Sequence, residues 1–227
     1  KRNVINEAFR VLRTNLGFLS QKDKGNVLMV TSFNPGSGKT FISMNMAVSL
    51  AIKGKRVLVI DGDLRRSSTS AYIDSPETGL SNYLVGEVNN IKDITVCDTL
   101  IKGLCVIPVG TKPPNPTELL ETKRFAELIE KVKDEYDYIL IDCPPVEMMA
   151  DAQIIETSVD RTIFVIRAGL FERSMLPELQ NLYDEKKYRN MSIVLNATMA
   201  EGSRRGYKYG YGYGYGYGNY SHYTSNK

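Results

Sequence analysis

An α/β fold, doubly wound around a mostly parallel sheet, is what this sequence predicts. Three continuous apolar runs, at residues 27–30, 57–60 and 138–141, each lead into polar or carboxylate side chains. Runs without alternation mark strands buried on both faces. Stretches of helical periodicity separate them, and strands alternating with helices wind into a parallel sheet. A Pro- and Gly-rich turn also sits between the first run and a helix-patterned stretch at residues 41–52. With 227 residues, 42% of them hydrophobic, the chain can bury one full-sized core, as a single domain over residues 1–200.

In order, Asn3 to Leu19 reads as an amphipathic helix, with Val4, Ile5, Ala8, Phe9, Leu12 and Leu16 on one stripe. Its polar side carries Glu7, Arg10 and Arg13, which alone read as a solvated face with a Glu–Arg pair. The first strand then runs into Ser32-Phe33-Asn34-Pro35-Gly36-Ser37-Gly38-Lys39-Thr40, and Phe41 begins the next helix. Strand, Gly-rich turn, Lys-Thr and helix form a phosphate cradle. Backbone N–H groups and the helix N-terminus face an anion, the lysine reaches the outer phosphates, and the threonine hydroxyl can ligate Mg²⁺. The general pattern G-x-x-x-x-G-K-[ST] wants glycine where this chain has Phe33.

The second buried run ends in Asp61 and Asp63, followed by Arg65 and Arg66. Two acids at a strand end border the ligand crevice of an open α/β sheet, although Asp-Gly-Asp is also a turn sequence. Residues 67–103 give a Ser-rich loop, a short helix near Leu80 to Leu84 and weak strand signals; Leu104 to Val109 reads as a short strand. Pro113, Pro114 and Pro116 force an extended loop, and Thr117 is placed to cap one helix running through Leu119, Leu120, Phe125, Leu128, Ile129 and Val132. Tyr138 to Pro145 is a buried strand ending in Asp142, positioned to help hold Mg²⁺. Asp160 to Arg167 and Met191 to Asn196 add two strands, with a helix from about Glu172 to Lys186 between them.

From Gly202 to Lys227 tyrosine is the sole large apolar side chain, and YGYGYGYGYG is low complexity. Such a segment cannot offset its ordering entropy by burial, so residues 201–227 are expected to form a flexible tail. A Gly-rich chain of that length spans roughly 25–30 Å r.m.s. and leaves the last strand on the edge that carries the phosphate loop.

Composition excludes several functions. From Glu201 onward, Arg204, Arg205, Lys208 and Lys227 stand against one acid, so the whole net charge of +3 lies in the tail. A neutral body of this kind is not built to grip nucleic acid. His222 is the single histidine, which argues against His-based catalysis. Cys97, Cys105 and Cys143 lack metal-ligand spacing and suit reduced thiols in a cytosol better than a disulfide framework. No apolar run approaches the roughly 20 residues that span a bilayer. The first residue is Lys1, as expected of a piece of a longer chain.

Taken together these pieces resemble the bacterial tyrosine kinases (BY-kinases) that control capsular and exopolysaccharide synthesis. The likeness rests on SFNPGSGKT, VLVIDGDLRR, YILIDCPP, NPTELL, the terminal tyrosine cluster and Glu7-x-x-Arg10-x-x-Arg13, which is similar to the family's oligomerisation motif over residues 1–20. The resemblance implies a fold of the P-loop NTPase type, with ATP and Mg²⁺ as cofactors. Asn34, Pro35, Gly36, Ser37, Gly38, Lys39, Thr40 and Phe41 would bind ATP, and Asn196 the adenine. Thr40, Asp63 and Asp142 would support the metal, and Asp61 would accept the tyrosine proton or position the hydroxyl; the sequence leaves open which of Asp61 and Asp63 touches Mg²⁺. Lys39, Asp61, Asp63 and Asp142 are thus the catalytic set. Phosphoryl transfer, which needs orientation and charge neutralisation above all, suits that division.

The resemblance further implies a homo-oligomeric ring in which one tail enters the next subunit's site. The phosphoacceptors would be Tyr207, Tyr209, Tyr211, Tyr213, Tyr215, Tyr217, Tyr220 and Tyr223. A transmembrane activator or a fused N-terminal membrane domain would hold the kinase at the cytoplasmic face of the inner membrane. Two rival readings have specific tests. A partitioning or division-site ATPase would carry a loop lysine where Asn34 stands, and DNA or lipid would stimulate its ATP turnover. An inert scaffold carrying a Tyr-Gly interaction module would bind no nucleotide, which three strand-end acids argue against.

Overall fold

The computed structural model describes residues 4–19, 26–98, 100–146 and 150–198. Helix α1 (Val4–Leu19) precedes β1 (Asn26–Thr31), α2 (Lys39–Ala51) and β2 (Val57–Asp61). Then come α3 (Leu80–Val85), β3 (Val96–Cys97), β4 (Leu104–Ile107), α4 (Pro116–Leu120), α5 (Lys123–Val132) and β5 (Tyr138–Asp142). The final elements are α6 (Asp151–Glu156), β6 (Arg161–Arg167), α7 (Leu176–Asp184) and β7 (Ser192–Asn196).

The strands form one sheet in the order β3-β4-β2-β5-β1-β6-β7. Among the described residues only the β3–β4 pair is antiparallel. The continuous apolar runs feed both faces: Leu58 and Ile60 enter the core beneath α3 to α6, while Val57 and Val59 enter the core beneath α1 and α2. Alternate side chains of one strand therefore serve two hydrophobic layers, which is why polar alternation is absent. Helix α1 closes the second layer with Phe9 and Leu16, and the Phe9 ring meets Phe41 edge-on at 5.7 Å.

Registration places the chemistry. Asp61 at the end of β2 is level with Asp142 at the end of β5, and Val30 of β1 is level with Asp142 on its other side. The loop after β1 thus opens on the same sheet edge as both acids.

Several expectations are corrected. The helix expected through residues 119–132 is two, because α4 ends at Leu120 and α5 starts at Lys123. Thr117 lies inside α4, whose first residue is Pro116, and its hydroxyl is committed elsewhere. Strand β4 stops at Ile107 because the Val109 N–H leaves the ladder to donate to Ser70 Oγ at 2.9 Å. The helix expected over 172–186 is a short 3-10 turn, Arg173–Met175, followed by α7. Cys97 and Cys105, expected as thiols, are joined in a disulfide: antiparallel pairing of β3 with β4 sets them opposite, with Cα atoms 4.1 Å apart. Cys143 remains a free, buried thiol. Residues 201–227 lie outside the described residues, and so do all eight tail tyrosines.

Candidate active site

The loop between β1 and α2 reverses on two glycines with left-handed backbone, Gly36 (φ 76°) and Gly38 (φ 93°). A side chain at Gly38 is excluded twice: the φ is costly, and a Cβ would meet Asn196 Nδ2 at 2.3 Å. The hydroxyls of Ser32 and Ser37 each donate to the Asn34 carbonyl at 2.8 Å, which knots the turn around Pro35. Phe33, where the general motif has glycine, turns away from the loop. It is buried against Phe164 and Phe171, with ring centroids 5.0 and 5.6 Å away. The departure from the pattern is therefore a core contact.

At the start of α2, Thr40 Oγ1 donates to Asp142 Oδ2 at 2.6 Å, and Thr69 Oγ1 donates to the same oxygen at 2.7 Å. Ser43 Oγ approaches the other oxygen at 3.5 Å. Burial pushes the Asp142 carboxyl above its ordinary range, opposed by the two hydroxyls and by Lys39. Burial likewise pulls Lys39 below its ordinary value, opposed by the charges of Asp142 and Asp63. Each of these groups needs the other's charge to remain ionised in so dry a place.

The acids of the second strand end separate. Asp63 lines the cleft, and its Oδ1 accepts the N–H groups of Arg65 and Arg66 at 3.3 and 3.1 Å. Asp61 sits behind, with 0% exposure, and does not line the cleft. Its Oδ2 accepts both the N–H and the Oγ–H of Ser70, at 2.8 and 2.7 Å. Among the described residues Oδ1 finds no partner. Burial pushes the Asp61 carboxyl up to about 7; the Ser70 bonds oppose this and the nearby Asp142 adds to it. Asp61 is therefore a buried carboxyl with one oxygen bound to Ser70 and the other unmatched among the described residues.

The cleft measures about 400 Å³ and is walled by Gly36, Gly38, Lys39, Thr40, Phe41, Asp63 and Asp142. It also takes in Arg66, from the second acidic strand end, and Tyr72 and Arg167, which no sequence motif marks. Arg167, at the end of β6, donates to the Gly36 carbonyl at 2.7 Å, and Asn196, at the end of β7, donates to the Ser37 carbonyl at 2.9 Å. Sequence-distant strand ends thus buttress the loop from one side. A larger cleft, about 580 Å³ beside Lys92, Cys97 and Tyr136, shares no residue with the loop and gathers no comparable chemistry.

Two further arrangements join residues far apart in the sequence. Arg65 Nε reaches Asp151 Oδ2 at 3.4 Å and its Nη2 donates to Thr117 Oγ1 at 3.0 Å, while Thr117 donates to Asp151 Oδ1 at 2.6 Å. That triangle ties the Arg65-Arg66 turn to α4 and α6, and no local motif announces Asp151. On α1, Glu7 and Arg10 form an exposed pair at 3.2 Å, but Arg13 donates to Ser49 O and Oγ at 2.8 and 3.0 Å. The three residues expected at one oligomer contact are therefore divided, with Arg13 binding α1 to α2.

The cradle fits a nucleotide. Positive-φ glycines leave the loop free of side-chain bulk, and the cleft sets the cations of Lys39, Arg66 and Arg167 beside the carboxylates of Asp63 and Asp142. Among the described residues no three acidic, Cys or His side chains converge as a ready metal cage. A Mg²⁺ ion here would need phosphate oxygens alongside Thr40 and the cleft acids, as this ion ordinarily does.

A family model described as an AAA domain matches residues 25–193. The tyrosine-protein kinase CpsD of Streptococcus agalactiae is 37% identical over 192 residues, covering 84% of this chain and 82% of that protein. The tyrosine-protein kinase etk of Escherichia coli K12 is 41% identical over 165 residues, which are 72% of this chain and 22% of that longer protein. The solved kinase domain of Escherichia coli ETK superposes with a TM-score of 0.79 at 36% identity, covering 91% of this chain and 80% of that one.

Proposed function

The chain belongs to the bacterial tyrosine-protein kinases, built on the AAA-domain scaffold, and from that premise we propose how its residues divide the work. ATP lies in the cleft, with its phosphates on the amides of residues 34–41 and against the Lys39 ammonium. Asn196 and Phe41 border the purine. Thr40, Asp63 and Asp142 hold Mg²⁺, which neutralises phosphate charge when bound.

The observation that carries this division is the Thr40–Asp142 hydrogen bond of 2.6 Å at the foot of the phosphate loop. It sets a hydroxyl and a carboxylate together where strand β5 meets helix α2, beside the Lys39 charge. Asp61, its pKa lifted by burial to about 7, takes the phenolic proton in its ionised form as the tyrosine oxygen forms its bond to phosphorus and the bond to ADP breaks. Asp61 is turned to Ser70, so tyrosine entry has to open that contact.

The acceptors are the tail tyrosines, Tyr207, Tyr209, Tyr211, Tyr213, Tyr215, Tyr217, Tyr220 and Tyr223, presented to the site of a neighbouring subunit in a ring. Each phosphate adds about −1.5 to −2 charges, so three or more reverse the tail's positive balance and favour its release from an anionic site. Exposed Glu7 and Arg10 supply the subunit contact, with Arg13 fixing the helix that presents them. Residues 1–200 act as the catalytic unit and 201–227 as the acceptor. In the cell the kinase serves capsular or exopolysaccharide synthesis at the cytoplasmic face of the membrane, through a transmembrane activator or a fused membrane domain. Among the described residues no helix is long and apolar enough to cross a membrane.

Site-resolved mass spectrometry of the chain incubated with Mg-ATP tests the assignment. Phosphotyrosine should map to residues 207–223 and vanish in Lys39→Met. Undiminished tail phosphate in that variant overturns it.

A further inference from the structure

β7 is the last strand of the sheet, and no further strand among the described residues lies against its outer side. Edge strands are ordinarily guarded by charge, proline or a bulge. Ser192-Ile-Val-Leu-Asn196 carries neither charge nor proline. Ile193 and Leu195 are 53% and 58% exposed, while Val194 between them packs into the core beneath α1 and α2. Ile193 is level with Phe164 and Leu195 with Ile166, and those two neighbours belong to the apolar cluster that α7 covers through Leu179. Two aliphatic side chains thus stand on the α7 side of a strand edge that no strand among the described residues covers.

The chain itself contains a matching partner. Residues 207, 209, 211, 213, 215 and 217 are all tyrosine, with Lys208 and then glycines between them. A period of two is the side-chain period of an extended strand, so in that conformation the tyrosines would share one side and the glycines the other. We propose that the unmodified Tyr-Gly run docks as an added strand on the outer edge of its own β7, its tyrosine side covering Ile193 and Leu195.

Reach and chemistry both favour this occupant. β7 ends at Asn196 and the run begins at Tyr207, leaving ten intervening residues. Ten residues extend to about 33 Å, twice the roughly 16 Å length of a five-residue strand, so the run can fold back in either direction. Tethering over so short a link holds the run at an effective concentration of order millimolar, which an untethered copy does not match. The edge offers main-chain hydrogen bonds, and the tyrosine rings offer area over aliphatic side chains. Slipping by two residues restores the same contacts, so several registers are equivalent and the run stays exchangeable. A phosphate on any docked ring would set about two negative charges over an apolar strip. Release on phosphorylation is a consequence that rests on the kinase reading given above; the docking itself does not.

Hydrogen exchange on the full chain carrying Lys39→Met, which keeps the tail unmodified, tests the docking independently of catalysis. Replacing the six alternating tyrosines by serine in that background should speed exchange of the residue 192–196 amides about tenfold, as loss of a weak tethered contact does. Ile193→Lys with Leu195→Lys should in turn speed chymotryptic cleavage within residues 207–217 by a similar factor. Unchanged β7 exchange in the serine variant overturns the proposal, even if the lysine variant fails to fold. Protection that rises with protein concentration also overturns it, by assigning the edge to a second copy.

Discussion

Thr40 donates its hydroxyl proton to Asp142 Oδ2 at 2.6 Å across a separation of 102 residues. The bond joins the first turn of α2 to the end of β5, so the phosphate loop is tied to the acid at the foot of the cleft. Removing the hydroxyl should therefore harm catalysis more than folding. Thr40→Ala is expected to cut tail phosphorylation by about 100-fold or more, the scale on which a single electrostatic partner at a reacting centre acts. Quantitative phosphotyrosine measurement alongside circular dichroism checks it; a variant that keeps full activity refutes the role given to Thr40.

Asp61 makes stability depend on pH in an unusual direction. Its folded carboxyl is raised from the ordinary 3.8 to about 7, so between those values the folded chain holds a proton that the unfolded chain has lost. Stability from this group is full below pH 4 and falls as the pH rises through 7, by at most about 4 kcal/mol. Urea unfolding without nucleotide should show the contribution shrinking from pH 5.5 to pH 8. Asp61→Asn should flatten that slope and abolish kinase activity together; an unaltered slope would show that Asp61 does not titrate there.

Phe33 is a structural residue inside a functional loop. Its ring is buried on Phe164 and Phe171, and Phe33→Ala should cost about 3–5 kcal/mol. Glycine at this position, though the general motif prefers it, should destabilise the chain at least as much. Chemical denaturation of both variants decides the matter, and a cost below about 1 kcal/mol would mean that the aromatic cluster contributes little.

Arg13 and the Glu7–Arg10 pair should separate on mutation. Arg13→Ala removes two hydrogen bonds to Ser49 from a cation, worth about 1.5–3 kcal/mol, and should lower the unfolding midpoint. Glu7→Ala with Arg10→Ala breaks an exposed pair worth under about 1 kcal/mol, and should leave stability nearly unchanged while reducing particle size in solution. Light scattering beside denaturation distinguishes the two effects. Unchanged particle size in the double variant rejects the contact role.

The Cys97–Cys105 bond closes a loop eight residues apart in sequence. Chain entropy assigns so short a loop about 2–3 kcal/mol, so a reductant or Cys97→Ser should lower the unfolding free energy by up to that much. Identical denaturation curves with and without reductant would show that the pair does not contribute.

Contiguous signals carried a great deal. SFNPGSGKT, the acids after the runs at 57–60 and 138–141, and the 3.6-residue stripe of α1 are all local, so reading along the chain found the sheet, the loop, Lys39, Thr40 and Asp142. These features depend on side-chain periodicity and turn chemistry, which neighbouring residues impose on one another.

Distance across the sheet was not written in the same way. That Asp63 faces the cleft while Asp61 turns to Ser70 depends on how strand β2 ends beside a turn nine residues further on. That Arg13 is committed to Ser49, that Thr117 serves Asp151 rather than a helix end, and that Cys97 meets Cys105 all depend on which elements pack or pair. A donor's choice among several acceptors turns on differences of a few tenths of an ångström between elements far apart in the chain, and only the assembled core sets those distances.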